Sequence, residues 1–187
     1  MDVFETNAER YDSWYERNRE LYEKELSVIP RPTSPSLEVG VGTGRFAQPL
    51  GIDVGVDVSA SMLRIARSRG VECIRADASK LPFKDGVFKS VYFIFTLCFL
   101  NEPEKALSEA VRVLDNDGTL CACIVPKDSG LGKVYSAKDS PFYKIAKFYV
   151  EKELVEMLEN AGLRVVDVKR VWLGHSENDF VCMKTQK

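Results

Sequence analysis

The chain has 187 residues, of which 45% are hydrophobic and 29% charged, the size and composition of one globular domain and not of a disordered segment. Lys and Arg number 26 against 28 Asp and Glu, a formal net charge of −2, which argues against a dedicated nucleic-acid binder. No membrane span is expected, because the longest apolar run, Val91 to Leu100, is half the ~20 residues a span requires, and the acidic start Met-Asp-Val-Phe-Glu has no signal-peptide pattern.

From the N-terminus, residues 8–29 carry Tyr11, Trp14, Tyr15, Leu21, Tyr22 and Leu26 at helical spacing, and the pattern stops before Pro30 and Pro32. Ser36–Val39 reads as a short strand running into glycines, Arg45–Leu50 as a short helix, Val54–Val58 as a second strand. A helix over Ser61–Arg69, closed by Gly70, leads to a third strand over Val71–Ala76. Val87–Phe95, dense in Val, Phe, Tyr and Ile, reads as a central strand buried on both faces. Asn101 is the expected N-cap of the next helix, with Glu104 in capping-box spacing. Asp115-Asn116-Asp117-Gly118 reads as a turn and Thr119–Val125 as a fifth strand. Residues 126–149 show no period, Glu151–Ala161 is amphipathic, and Arg164–Val171 and Phe180–Lys184 are two last strands. Strands alternating with helices predict an α/β fold, a mixed sheet with helices on both faces and an antiparallel edge.

The five cysteines (73, 98, 121, 123, 182) lie in or beside apolar strand-like stretches, which reads as buried free thiols in a reducing, cytoplasmic setting. With one histidine and no CxxC pair, no metal site is expected.

The sharpest feature is Glu38-Val39-Gly40-Val41-Gly42-Thr43-Gly44, where a strand runs into three alternate glycines and then a helix. Such a turn presents bare backbone N–H groups to a ligand at the end of a sheet, though dinucleotide-binding proteins use a similar one. Glu38, before the first glycine, would repel a phosphate and attract an ammonium. Asp57, closing the next strand, is placed for a ribose diol.

These residues resemble motif I of the class I S-adenosylmethionine-dependent methyltransferases. Gly55-Val56-Asp57-Val58-Ser59-Ala60-Ser61-Met62-Leu63, Ala76-Asp77-Ala78-Ser79-Lys80-Leu81-Pro82-Phe83 and the stretch Glu109 to Gly118 resemble later motifs of that family in order and spacing, in the branch that includes ubiquinone and menaquinone C-methyltransferases. The resemblance spans about residues 36–125, with a weaker likeness at Ala8-x-x-Tyr11-Asp12-x-Trp14, and implies a single Rossmann-like, seven-stranded domain. Together with the element pattern this divides the chain into an N-terminal helical cap (1–30), a cofactor-binding core (36–125), a candidate substrate lid (126–149) and a C-terminal helix and hairpin (150–187). It implies S-adenosyl-L-methionine as cofactor. Glu38, Gly40, Gly42, Thr43 and Gly44 would hold the methionine end, Asp57 the ribose, Val58, Met62, Asp77 and Ala78 the adenine, and Tyr11 and Ile94 the rest of the pocket.

No catalytic base carries over from the family, since Cys98-Phe99 stands where many relatives have a histidine pair. His175, in the last turn, is the remaining candidate and a weak one, since a lone turn histidine is more often just solvated. No carboxylate cluster suits Mg²⁺. Residues 126–149 interleave five lysines with Tyr135, Phe142, Tyr143, Phe148 and Tyr149, which reads either as a lid for a flat or anionic small molecule or as a solvated loop. The expected activity is metal-independent methyl transfer to a small-molecule acceptor. The alternatives are a non-catalytic S-adenosylmethionine-binding regulator and a nicotinamide-dependent oxidoreductase. The acceptor and the oligomeric state are not legible in the sequence.

Overall fold

A computed structural model describes residues 3–187, so the first two residues of the expected cap lie outside the described residues. Helices α1 (Val3–Thr6), α2 (Ala8–Arg17) and α3 (Arg19–Val28) precede β1 (Ser36–Val39). Then come α4 (Ala47–Leu50), β2 (Val54–Asp57), α5 (Ala60–Ser68), β3 (Cys73–Arg75), β4 (Phe88–Ile94), α6 (Pro103–Val113) and β5 (Leu114–Ile124). The chain closes with α7 (Gly130–Ala137), α8 (Pro141–Ile145), α9 (Glu151–Asn160), β6 (Arg164–Val171) and β7 (Phe180–Gln186). The strands form one seven-stranded sheet in the order β3-β2-β1-β4-β5-β7-β6. Neighbours among β1 to β5 pair parallel, and β7 pairs antiparallel with both β5 and β6.

Period-two alternation in the central strands builds a core on each face. Val91 and Phe93 of β4 join Leu107, Ala110, Leu154 and Leu158 of α6 and α9, whereas Tyr92 and Ile94 join Leu63 and Ala66 of α5 and Tyr15 of α2. The strand order runs one way from β1 through β2 to β3 and the other way through β4 to β5. A crevice therefore opens at the carboxyl ends of β1 and β4, the topological switch point where open α/β sheets bind ligands.

Where the structure departs from the sequence reading, local chemistry explains it. The expected single helix over 8–29 breaks at Asn18, whose side-chain amide and backbone N–H both donate to the Trp14 carbonyl, at 2.8 and 3.0 Å. Asn101 does not cap α6: Pro103 occupies the first helical position, and the residue before a proline is disfavoured in helical conformation, so the helix begins one residue later than expected, with Glu102 at the N-cap. The expected turn at 115–118 lies inside β5, as an irregularity that sets Phe88 opposite Leu114 but Ser90 opposite Thr119. Residues 126–149 contain two helices that the glycines hid. Gly130 and Gly132 are there for close contact: a Cβ would lie 2.4 Å from the His175 Cβ in one case and 1.9 Å from the Pro126 carbonyl oxygen in the other. The antiparallel register sets Cys123 against Cys182, and their sulfurs are joined at 2.14 Å, so the expectation of free thiols holds for Cys73, Cys98 and Cys121 only.

Asp179, fully buried, ties the β6–β7 turn to α7. Its carboxylate accepts the N–H groups of Leu131, Leu173, His175 and Ser176 at 2.9–3.0 Å and the Ser176 hydroxyl at 2.7 Å. Burial alone would raise its pKa, but the hydrogen bonds from Ser176, Leu131 and His175 pull it down to about 2 from an ordinary 3.8. A depressed carboxyl stabilises the fold above its unfolded pKa, here by about 2 kcal/mol, and that contribution fades as pH falls from about 4 toward 2. Asp179→Asn is therefore expected to lower the melting temperature at pH 7, with the gap to the parent closing in melts run toward pH 2.

Candidate functional site

Two adjoining cavities occupy the crevice. The first, about 570 Å³, is bounded by the glycine turn after β1, the end of β2 and the Asp77 turn after β3. That volume is typical of a pocket for a cofactor-sized ligand. Tyr11, Gly40, Gly42, Asp57, Val58 and Met62 line it, as do Asp77, Ala78 and Ile94.

Gly40 and Gly42 have positive φ, +76° and +52°. Gly40 lies so close to Thr96 that a Cβ would come within 2.3 Å of it, whereas a Cβ on Gly42 would meet only the Tyr11 ring, at 3.8 Å. Asp57 organises two sides of the cavity, since its Oδ2 accepts the Gly42 N–H and its Oδ1 the Ser59 N–H, each at 2.9 Å. Ser59 in turn caps α5 by accepting the Met62 N–H. Asp77 Oδ1 accepts the Ser79 N–H and hydroxyl at 2.8 and 2.7 Å, which shapes the turn carrying Ala78.

Three of the sequence candidates stand behind this wall instead of in it. Glu38 is 1% exposed; one carboxylate oxygen takes the Ala47 N–H and Oε2 has no partner. Burial, and then the Asp57 charge, hold its pKa well above the ordinary carboxylate range. Thr43 is buried beside Asp12, and its carbonyl accepts from Arg69. Gly44 is a packing glycine, because a Cβ there would meet Val71 at 2.9 Å and Ala66 at 3.3 Å.

The N-terminal helices close the site. Asp12 of α2 accepts from Arg45 at 2.7 and 2.9 Å and from Arg69 at 2.6 Å. Burial would raise the Asp12 pKa, and the Arg45 and Arg69 hydrogen bonds outweigh it and hold the carboxyl below its ordinary value. In α1, Glu5 takes hydrogen bonds from Ser59 and Ser61, which sets Phe4 at the cavity wall.

The second cavity, about 220 Å³, is aromatic. Trp14 and Tyr15 of α2 face Tyr135, Phe142, Phe148 and Tyr149 of the 126–149 segment across it, and Glu25 of α3 joins them. Tyr11, Phe95 and Phe99 line both cavities. Phe95 has φ +56°, a conformation that bulky residues avoid, and sequence reasoning gave no signal for it. Glu25 was missed as well, since a single acid in a charged helix looks like surface.

His175 is exposed, lines neither cavity and donates its backbone N–H to Asp179. The geometry does not place it to take a proton from an acceptor. Among the described residues, the sulfurs of Cys121, Cys123 and Cys182 form the only group of three or more metal-type donors, within 4.8 Å of one another and buried at β5 and β7.

Residues 37–122 match the sequence profile of a family described as a methyltransferase domain. An uncharacterized protein of Methanocaldococcus jannaschii is 39% identical over the whole of both chains. A UbiE ubiquinone/menaquinone C-methyltransferase of Ectopseudomonas mendocina is 32% identical over 78% of this chain and 66% of its own length. The chain spans 59% of the length of a 36% identical Mycobacterium tuberculosis protein. Among solved structures, a Thermotoga maritima S-adenosylmethionine-dependent methyltransferase, named a "possible histamine N-methyltransferase", superimposes with a TM-score of 0.90 at 35% identity over 99% of both chains.

Proposed function

The chain belongs to the class I S-adenosylmethionine-dependent methyltransferases, and from that premise we propose that it methylates a small molecule held in the aromatic cavity, without a metal ion. The observation that carries this reading is the junction of the two cavities at Tyr11, Phe95 and Phe99.

The cofactor fits the larger cavity on three counts. There is room for it; the unpartnered Glu38 Oε2 stands behind the glycine turn for an ammonium group; and Gly42 turns bare backbone toward the space. Glu38, with Gly40 and Gly42, would orient the methionine end, and Thr43 and Gly44 would set the shape of the turn from behind. Asp57 would accept from the ribose hydroxyls. Val58, Met62 and Ala78 would flank the adenine, with Asp77 at its edge, and Ile94 and Tyr11 would stand near the sulfur. When bound, S-adenosylmethionine supplies a methyl group already activated on a sulfonium. The protein's task is then alignment, worth ~7–11 kcal/mol of barrier, and exclusion of water.

A cavity of 220 Å³ lies below the usual range of ligand pockets, which favours a small acceptor over a macromolecule. Its acids are Glu25 and the exposed Asp139, and among the described residues the one cluster of three or more metal-type donors, the cysteines of β5 and β7, is not part of its lining. The lid expectation narrows to α8, which has no buried residue, whereas α7 is anchored by Leu131 and by Asp179.

The test is ligand-induced stabilisation. S-adenosylhomocysteine at 100 times its Kd is expected to add ~2.7 kcal/mol, a rise of about 5–10 °C in Tm for a domain of this size. NAD and NADP are expected to give no shift. A shift with NADP and none with S-adenosylhomocysteine would overturn the reading in favour of hydride transfer.

A further inference from the structure

We propose that the acceptor is an amine, bound as its ammonium ion by the Glu25 carboxylate in the aromatic cavity and deprotonated there before methyl transfer. The inference deepens the methyltransferase reading and rests on it.

Glu25 is 2% exposed, its Oε2 is wholly buried, and among the described residues no hydrogen bond or ion pair to that oxygen is found. Other acids of α3 behave differently: Glu20 and Glu23 are exposed and pair with Lys24 and Arg19 along the helix. A carboxylate turned inward without a partner is costly unless a cation arrives to meet it. What surrounds it is suited to a cation. Tyr15 and Tyr135 line the same space, Tyr135 stacks on Tyr143 with ring centroids 4.4 Å apart, and aromatic faces attract ammonium groups. A second unsatisfied group, the buried Tyr149 hydroxyl, lines the cavity too and can accept from an N–H. The remaining charged residues of the lining, Arg10, Arg17, Lys138 and Asp139, are all exposed, so the interior charge is negative. The anionic acceptor expected from the lysine-rich segment finds no buried cation here.

Burial pushes the Glu25 pKa up to about 8. The groups facing it from neighbouring elements are the phenols of Tyr15, Tyr135 and Tyr143, all held above their ordinary range by burial and neutral between pH 6 and 8. At pH 7 Glu25 is therefore largely protonated when alone, and an incoming ammonium restores the carboxylate and expels one proton to solvent.

The step balances. The bound ammonium passes a proton to Glu25 and becomes a neutral amine. The nitrogen lone pair bonds to the methyl carbon as the carbon–sulfur bond breaks, and that electron pair goes to sulfur. The product leaves as the methylated ammonium with S-adenosylhomocysteine, and the Glu25 proton returns to solvent.

Calorimetry on the S-adenosylhomocysteine-saturated protein tests this with 2-phenylethylamine, 2-phenylethanol and 3-phenylpropionate. We expect the amine to bind at least tenfold tighter than the alcohol or the acid. Its binding enthalpy should differ between phosphate and Tris buffers at pH 7, the mark of proton release, and the release should shrink as pH rises through 8, giving way to proton uptake once the free amine itself begins to lose its proton. Glu25→Gln should weaken the amine at least tenfold, abolish the buffer dependence and leave the alcohol within twofold. Unchanged S-adenosylhomocysteine affinity shows that the variant is folded. The proposal is overturned if the alcohol or acid matches the amine, or if Glu25→Gln keeps both the amine affinity and the proton release. Failure of S-adenosylhomocysteine itself to bind would instead overturn the underlying methyltransferase reading.

Discussion

Asp57→Ala is expected to weaken S-adenosylhomocysteine binding ~10- to 100-fold while the protein still folds. The carboxylate does two things at once. It is the acceptor for the ribose hydroxyls in the proposed pose, and a hydrogen bond to a charged group contributes ~1.5–3 kcal/mol, so losing even one removes a factor of ten or more. It also accepts the Gly42 and Ser59 N–H groups, so its loss loosens the glycine turn and the start of α5 together. Asp57 is only half-buried at a strand end, which is why the fold should survive with a modest drop in Tm. Calorimetric titration of a variant shown to be folded by its melt is the check. Unchanged affinity would place the ribose elsewhere.

A pair of glycine substitutions should separate folding from binding. Gly40→Ala forces a Cβ to within 2.3–2.9 Å of three Thr96 side-chain atoms at a backbone φ of +76°. Left-handed backbone costs ~1–2 kcal/mol for an alanine and overpacking ~1–3 kcal/mol more, so the melting temperature should fall by roughly 5–15 °C. Thr96 lines the cofactor cavity, so displacing it should also abolish measurable binding. Gly42→Ala has space, with only Tyr11 at 3.8 Å, and should cost the backbone term alone. Its methyl would project where the ligand approaches, so S-adenosylhomocysteine affinity should drop at least tenfold in a protein that melts within about 5 °C of the parent. Equal effects of the two substitutions on Tm would contradict this division of labour.

What the sequence made legible, and what it did not, follows from where the information lies. The strands over Ser36–Val39 and Val54–Asp57 were readable because short apolar runs ending at a glycine or in an acid are local patterns, and Phe88–Ile94 because its density of Val, Tyr, Phe and Ile is one too. The glycine turn, Asp57 and Asp77 were readable for the same reason: backbone-approach glycines and strand-end acids sit at fixed short spacings. Glu25 was not, since its identity as an interior acid depends on Tyr135 and Tyr143, more than a hundred residues away along the chain. The Cys123–Cys182 contact depends on the register of β5 against β7 and is equally non-local. In the 126–149 segment, where no period was visible, Gly130 and Gly132 are demanded by His175 and Pro126 packing against α7, a tertiary override of propensity. The lysines that suggested an anionic acceptor are exposed at Lys133, Lys138, Lys144 and Lys147, and of these Lys138 reaches the lining of the aromatic cavity.

The central claim is that donor and acceptor occupy neighbouring cavities that meet at Tyr11, Phe95 and Phe99. The most direct measurement is a crystal structure of the protein grown with S-adenosylhomocysteine. The account predicts density running from Asp77 past Asp57 to the glycine turn, with the thioether sulfur facing the Tyr11–Phe95–Phe99 junction and open to the aromatic cavity. Density outside that cavity, or a sulfur turned away from the junction with protein between it and Glu25, would contradict it.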